Sequence, residues 1–160
     1  MARSILFVCL GNICRSPTAE SVFRHKSDRQ GLDMKLDSAG TSNWHQGEAA
    51  YGPMQIAAKK RGYDLSKSRA RQITERDFSD FDLIIAMDKS NRKKLEKLRP
   101  VGVNTPIELM LDYLPDQPVR GVPDPYFTRE FNRVIDLIEL ASDALLFSLL
   151  RNQNVSGQSL

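Results

Sequence analysis

Two residues near the N-terminus, Cys9 and Arg15, have types and a spacing that suit phosphoryl transfer. Cys9 ends an apolar run and Arg15 opens a helical pattern. A short loop joins them, made of Leu10, Gly11, Asn12, Ile13 and Cys14. A loop between a buried strand and a helix gathers backbone N–H groups and the positive end of the helix dipole at one place. Such a place binds phosphate and, with Arg15, favours the thiolate form of Cys9. The pattern predicts attack of a thiolate on phosphorus.

The residues around this pair strengthen the interpretation. Gly11 permits a tight turn, and Asn12 tolerates a positive φ better than most residues. Pro17 suits a first helical turn, where its missing N–H is no loss. Ser16 can donate a hydrogen bond to the thiolate. The alternative is a buried structural cysteine followed by an ordinary helix cap, and the strand–loop–helix setting favours the anion site.

The rest of the chain alternates between short apolar runs and helical patterns. The apolar runs predict four strands, at 4–9, 34–38, 83–87 and 104–109. The helical patterns predict helices at 18–30, 46–61, 90–98 and 129–151, with Ser90 or Asp88 as the cap of the third. This alternation predicts an α/β fold with a parallel sheet covered by helices on both faces. Ligands in such folds bind beyond the carboxyl ends of the strands, where Cys9 lies.

Length and composition favour one ordinary globular domain. The chain has 160 residues, of which 41% are hydrophobic and 27% charged, with a net charge of +3. We expect a domain over 1–151 and a disordered tail over 152–160, which is polar and lacks periodicity. A small positive charge without interleaved aromatic residues gives no support for nucleic-acid binding. The N-terminal apolar run is too short for a membrane span or a signal-peptide core, so a cytoplasmic location is expected.

Cysteine and histidine are scarce. The chain has 2 cysteines, Cys9 and Cys14, and 2 histidines, His25 and His45, which are far apart. A zinc site needs more ligands than these, so we expect no metal and no other cofactor.

The loop sequence at 9–17 resembles the signature loop of the low-molecular-weight protein tyrosine phosphatases. Further blocks along the chain resemble the family in its order and spacing: 37–42 with the following Trp44, 70–73, 86–91 and 122–126. The resemblance implies a four-stranded parallel sheet with the first strand inside it and the phosphate-binding loop after that strand. It implies proteins carrying phosphotyrosine as substrates, a phosphocysteine intermediate and inorganic phosphate as product.

The resemblance also assigns roles outside the loop. It makes Asp124, between Pro123 and Pro125, the general acid that protonates the leaving oxygen. Without the resemblance, a plain Asp-Pro turn would be the preferred interpretation of this residue. It places Trp44 and Tyr126 at the pocket mouth as walls for the substrate ring. Phosphoserine, with its short side chain, would lose that contact.

Cys14 has two interpretations. It is either a small buried hydrophobic residue or a resolving thiol that traps oxidised Cys9 as a disulfide.

Some positions depart from the family pattern. Ser68 stands near the place where many relatives have a histidine that bonds to the loop asparagine. Tyr51 and Pro53 stand where many have Asp and Arg, and Phe127 replaces the second of two tyrosines. Because of these departures, the family pattern does not predict which residues hold the loop or shape the pocket rim in this chain.

Three other functions compete with tyrosine phosphatase. An arsenate reductase on this fold would need further cysteines after Cys14, and the chain has none. A phosphoarginine phosphatase tends to have threonine in place of Ile13, whose apolar side chain favours an aromatic substrate. A non-catalytic phosphopeptide-binding module would lack the nucleophile or the acid, and Cys9, Arg15 and Asp124 are all present.

Overall fold

The computed structural model describes residues 2–158. Its centre is a four-stranded parallel sheet with strand order β2-β1-β3-β4. The strands are β1 (Ser4–Cys9), β2 (Lys35–Gly40), β3 (Leu83–Ala86) and β4 (Ile107–Leu109). The predicted α/β fold, with β1 inside the sheet, is confirmed.

Within residues 2–158, six α-helices accompany the sheet: α1 (Arg15–Arg29), α2 (Gly52–Lys60), α3 (Asp77–Asp80), α4 (Lys89–Leu98), α5 (Pro125–Thr128) and α6 (Phe131–Gln158). A 3₁₀ helix covers Met110–Tyr113. Asp88 caps α4, since its side chain accepts a hydrogen bond from the backbone of Asn91. No helix in the described part of the chain is long and apolar enough to cross a membrane.

Strand β1 carries the core on both faces, because successive side chains of a strand point to opposite sides. Ile5 and Phe7 belong to a core cluster that includes residues of α1, α2 and α6. Leu6 and Val8 belong to a second cluster, with residues of α3 and α4. All 4 side chains are 0% exposed. Burial on both faces explains why the strand reads as a continuous apolar run, and it fixes the position of Cys9 at its end.

Several predicted element boundaries were wrong for identifiable reasons. Helix α2 begins at Gly52 rather than at residue 46, because the preceding segment turns at Gly47 (φ +82°) and forms a bridge between Ala49 and Arg69. Helix α6 begins at Phe131 rather than at residue 129, because Arg129 has a φ of +64° and ends the short helix α5.

The prediction of a disordered tail is also corrected. Helix α6 continues to Gln158 without a break at residue 151, so the stretch 152–158 is helical. Polar residues without an apolar stripe gave no sign of helix, but a helix that is anchored over many turns can extend past its last packed residue. Residues 159 and 160 lie outside the described part of the chain.

Candidate active site

Neighbouring segments hold the loop between β1 and α1 through hydrogen bonds that they donate to its carbonyl groups. The carbonyl of Leu10 accepts hydrogen bonds from the backbone and the hydroxyl of Ser42, at 3.0 and 2.9 Å. The carbonyl of Ile13 accepts one from the backbone of Tyr51 at 2.9 Å. Because a trans peptide points its C=O and its N–H in opposite directions, these bonds turn the N–H groups that follow toward the other side of the loop.

Asn12 is the central support of the loop. Its φ of +58° lies in the left-handed region that the sequence predicted. Its side-chain amide donates to the hydroxyls of Ser16 and Ser38 at 2.8 and 3.0 Å, and its side-chain carbonyl accepts from the backbone of Arg71 at 3.0 Å. These three hydrogen bonds hold Asn12, and through it the loop, in place.

Ser68 makes none of these bonds to Asn12. It lines a polar cavity of about 310 Å³ behind the loop, a cavity that Asn12 also lines.

The sulfur of Cys9 receives two polar contacts within the loop. Its Sγ lies 3.0 Å from the hydroxyl of Ser16, and the backbone N–H of Asn12 donates to it at 3.3 Å. The amide of Asn12 donates to the Ser16 oxygen, so the Ser16 proton can point at the sulfur or at the carbonyl of Ala39, which lies 3.4 Å away. Both contacts stabilise negative charge on Cys9, as the sequence analysis expected for Ser16.

Arg15 lies in the first turn of α1 and is buried, with 3% of its side chain exposed. Its Nη1 donates to Asp88 at 2.6 Å and to the carbonyl of Val122 at 3.0 Å, while its Nη2 lies 3.5 Å from Asp124. Burial alone would lower the pKa of Arg15, but Cys9 and the two carboxylates outweigh it and raise the pKa. The guanidinium is therefore a fixed positive charge beside the cysteine.

Asp124 is positioned by the short helix α5. Its Oδ1 accepts from the backbone of Tyr126 at 3.1 Å, which makes Asp124 the N-cap of that helix. Pro125 occupies the first turn, a position that needs no N–H donor. The cap leaves Oδ2 facing Arg15, so the carboxyl group is held at the rim of the same site.

One cavity of about 310 Å³ brings several of the predicted residues together, although Cys9, Arg15, Asn12 and Ser16 are not among its lining residues. It is lined by loop residues, by both predicted aromatic walls and by the predicted acid: Leu10, Gly11, Ile13, Cys14, Trp44, His45, Asp124, Tyr126 and Phe127. Trp44 is 70% exposed and Tyr126 45%. These fractions suit walls that a ligand would cover better than they suit residues that cap the core.

Tyr51, one of the departures from the family pattern, supports Tyr126 from behind. The two rings meet edge to face with centroids 5.1 Å apart, and Tyr51 also stacks on Phe131 at 6.2 Å. Its hydroxyl accepts a hydrogen bond from Arg129 at 2.7 Å. Pro53, the second departure, lies in the first turn of α2.

Cys14 is buried at the N-cap position of α1 and lines the cavity. Burial raises its pKa to about 12, helped by the nearby Cys9 and Asp124. Both cysteines are free thiols. Among residues 2–158, no group of three or more His, Cys, Asp or Glu side chains is arranged to hold a metal ion.

The sequence analysis missed several contributors to the site. Asp88 and Arg71 carry ordinary charges, and only the fold shows that Asp88 contacts Arg15 and that the Arg71 backbone reaches Asn12. His45 was set aside as an isolated histidine, although it follows Trp44 and lies 6.3 Å from the ring of Tyr126. Phe127 was noted only as a departure, yet it also lines the cavity.

Comparison with known proteins places this geometry in a family. The model of the family described as low molecular weight phosphotyrosine protein phosphatase matches residues 4–155. The low molecular weight protein-tyrosine-phosphatase YfkJ of Bacillus subtilis is 40% identical over 154 residues, which covers 95% of this chain and 99% of YfkJ. The crystal structure of YfkJ superposes with a TM-score of 0.88 at 41% identity, covering 93% of this chain and 95% of that chain.

Two further solved structures are similar to this chain. A protein tyrosine phosphatase from Entamoeba histolytica has a TM-score of 0.87 at 38% identity and covers 94% of this chain and 98% of its own. An arginine phosphatase from Drosophila has a TM-score of 0.86 at 33% identity and covers 91% of this chain and 96% of its own. The family match spans nearly the whole chain, and the chain belongs to the low-molecular-weight phosphotyrosine protein phosphatases.

Proposed function

We propose that this protein hydrolyses phosphotyrosine in other proteins through a phosphocysteine intermediate on Cys9. The observation that carries the proposal is one cavity with an aromatic mouth, which is lined by Asp124 and by four residues of the loop that follows Cys9. The sulfur of Cys9 contacts Asn12 in the same loop and also Ser16, and the buried Arg15 lies 3.5 Å from Asp124. No single residue of this set is specific, but the set supplies each group that the reaction needs.

In the first step, the thiolate of Cys9 attacks phosphorus, and the bond between phosphorus and the tyrosine oxygen breaks. Arg15 and the loop N–H groups hold the three remaining oxygens and stabilise their charge in the transition state. Asp124 gives its proton to the leaving tyrosine oxygen, so a neutral phenol departs. Asp124 is then a carboxylate at the rim, next to the new phosphorus–sulfur bond.

In the second step, the Asp124 carboxylate accepts a proton from a water molecule as that water attacks phosphorus. The phosphorus–sulfur bond breaks, inorganic phosphate leaves and the thiolate returns. The hydrogen bond between Cys9 and Ser16 stabilises the sulfur as it takes back negative charge. No cofactor enters either step, because Cys9, Arg15 and Asp124 supply the nucleophile, the fixed charge and the proton.

The aromatic mouth supports phosphotyrosine as the substrate. Trp44 and Tyr126 line the same cavity as Asp124, so a substrate ring that reaches from the loop to the surface passes between them. Each ring pair is expected to contribute about 0.5–1.5 kcal/mol beyond simple burial. A phosphoserine would place no ring there.

The similarity to the Drosophila arginine phosphatase supports phosphoarginine as a second candidate substrate. Ile13 argues against it, because an apolar side chain in the cavity lining offers nothing to a guanidinium group. Arsenate reduction lacks the further cysteines that it needs, since Cys9 and Cys14 are the only 2 in the chain.

A panel of substrates tests the proposal. We expect the wild type to hydrolyse a phosphotyrosine peptide well, and the matched phosphoserine and phosphoarginine peptides poorly. Trp44→Ala and Tyr126→Ala should each lower kcat/KM for the phosphotyrosine peptide several-fold, with less effect on an alkyl phosphate. Phe147→Ala, the control, removes a ring on α6 that is 67% exposed, close to the 70% of Trp44. A preference for phosphoarginine, or an unchanged preference in both wall variants, would contradict the tyrosine assignment.

The predicted cytoplasmic location is part of the same proposal. A thiolate nucleophile works only while it is reduced, and the cytoplasm keeps thiols reduced. Fractionation of the source cells, with activity measured in each fraction, tests the location.

A further inference from the structure

A second groove adjoins the active-site cavity on the other side of Trp44. It has a volume of about 480 Å³ and shares two lining residues, Leu10 and Trp44, with that cavity. Its far side is formed by three lysines of α4: Lys93, Lys94 and Lys97. Leu10 and Trp44 therefore border both the active-site cavity and a lysine-lined groove.

Positive charge is concentrated on this helix. Within Lys89–Leu98, 5 basic residues stand against 1 acidic residue, whereas the whole chain has a net charge of only +3. The neighbouring arginines are paired, Arg92 with Asp112 and Arg99 with Glu96. Lys93, Lys94 and Lys97 are exposed, and no carboxylate within residues 2–158 pairs with any of them. Their charges are available to a ligand.

The three lysines share one helix face. Residues three or four positions apart on a helix are neighbours, so Lys97 lies next to both Lys93 and Lys94, and the like charges repel. This arrangement weakens the helix rather than stabilising it, and a bound anion would relieve the repulsion. The groove also offers polar groups suited to an extended peptide, from Ser42, Asn43, Gln72 and Ser90.

We propose that this groove binds carboxylate side chains next to the phosphotyrosine of the substrate, so that the enzyme selects acidic phosphotyrosine sites. The inference rests on the proposed function and deepens it. A peptide whose phosphotyrosine lies against Trp44 must leave the cavity past one side of that ring. An extended chain advances about 3.3–3.6 Å per residue, so the first few neighbours of the tyrosine reach the lysines.

Continuity with the cavity favours a peptide over a membrane surface as the occupant. The lysines form one wall of a groove that begins at the substrate ring, and the opposite wall is polar. The contribution of each lysine is modest, because exposed ion pairs are weak and screened by salt.

The test compares phosphotyrosine peptides that differ only in their flanks. One peptide carries Glu at the three positions before the phosphotyrosine, one carries Glu at the three positions after it, and one carries Gln at all of them. We expect one acidic peptide to exceed the Gln peptide in kcat/KM by about three- to ten-fold at low salt, mainly through KM. The preference should shrink at 0.5 M salt.

A charge-neutralised variant, Lys93→Gln with Lys94→Gln and Lys97→Gln, should lose most of this preference. Its matched control is Lys59→Gln with Lys60→Gln and Lys67→Gln, which removes the same charge from exposed lysines that line neither the cavity nor the groove. The control should keep the preference. A thermal melt of both variants checks folding, and loss of helix repulsion should leave the α4 variant at least as stable as the wild type.

Equal rates on all three peptides in the wild type, or an equal fall of the preference in both variants, would overturn the proposal. Binding to anionic lipid vesicles that the α4 variant alone loses, without any peptide preference, would assign the groove to a membrane surface instead. Hydrolysis of free phosphotyrosine, measured separately, tests the proposed function, so the two failures are distinguishable.

Discussion

The guanidinium of Arg15 and the carboxylate of Asp88 are joined by a hydrogen bond of 2.6 Å between Nη1 and Oδ2. Asp88 lies two residues after the end of β3 and Arg15 begins α1, so the contact connects the carboxyl edge of the sheet with the helix that follows the phosphate loop. Only 3% of the Arg15 side chain is exposed, against 29% for Asp88. Asp88 therefore orients an arginine that has few other positions available.

Replacing Asp88 separates this orienting role from its role as the cap of α4. Asp88→Ser keeps a capping oxygen for the backbone of Asn91 but is too short to reach Arg15. We expect it to lower kcat/KM about 10- to 100-fold, because a displaced guanidinium no longer matches the phosphate oxygens. Stability should change little. Steady-state kinetics and a thermal melt measure the two effects, and near wild-type kinetics would show that Val122 and the packing suffice to hold Arg15.

Gly40 allows the phosphate loop to approach β2. A Cβ at this position would lie 2.7 Å from the carbonyl oxygen of Leu10 and 3.2 Å from the backbone nitrogen of Asn12. Both neighbours are backbone atoms and cannot swing aside, so Gly40→Ala must displace the loop. We expect a loss of about 1–3 kcal/mol in the free energy of unfolding and a large loss of activity.

The matched control for Gly40 is Gly52 at the start of α2. Apart from its two chain neighbours, a Cβ there meets nothing within 4 Å. Gly52→Ala should therefore leave the phosphate loop in place and keep full activity. Denaturant unfolding and kinetics of both variants check the pair, and equal behaviour would refute the close-approach argument.

Oxidation should separate the two interpretations of Cys14. Peroxide converts the Cys9 thiolate to a sulfenic acid and is itself reduced to water, and a Cys14 thiolate that attacks this sulfur releases water and forms the disulfide. Because burial raises the pKa of Cys14, little Cys14 thiolate is present at pH 7. The resolving step should therefore be slow at pH 7 and quicken about tenfold per pH unit.

Mass spectrometry of the disulfide, and recovery of activity after a reducing thiol is added, measure this step. Cys14→Ser should retain basal turnover and recover poorly after the same exposure. Recovery equal to the wild type would make Cys14 a packing residue only.

The role of Asp124 predicts a dependence on the leaving group. Asp124→Ala should lower the rate on phosphotyrosine about 10²–10⁴-fold, since the phenolate must then leave without a proton. The loss should be smaller on para-nitrophenyl phosphate, whose leaving group is a weaker base. Asp116→Ala, which alters a different surface loop, is the control. Equal losses on both substrates would point to a structural role through the cap of α5.

The sequence predicted the parallel sheet and the phosphate-binding loop after its first strand because these depend on local patterns, whereas the role of Asp124 was assigned only through the family resemblance. The apolar run of β1 and the glycine and proline around the loop are visible within a few residues of Cys9. Contacts between distant segments had no such pattern. Asn12 and Arg71 are joined across 59 positions, and Arg15 and Asp88 across 73, so only the fold brings them together.

Helix boundaries were missed where a single backbone angle decides them. The residue type of Arg129 does not predict its left-handed φ, although this residue separates α5 from α6. The bridge between Ala49 and Arg69 likewise depends on a partner 20 positions away, so the helical pattern before Gly52 was misleading.

The central claim is that Cys9 carries the phosphate during turnover, and rapid quenching of the reaction tests it most directly. The enzyme to quench is the Asp124→Ala variant, which should slow hydrolysis of the phosphocysteine as well as its formation. Para-nitrophenyl phosphate is the substrate of choice, because its good leaving group still allows the phosphocysteine to form readily. Peptide mapping after acid quench should find phosphate on the peptide that contains Cys9, and Cys9→Ser should show neither adduct nor turnover. Phosphate on another residue, or turnover by Cys9→Ser close to the wild type, would contradict the account.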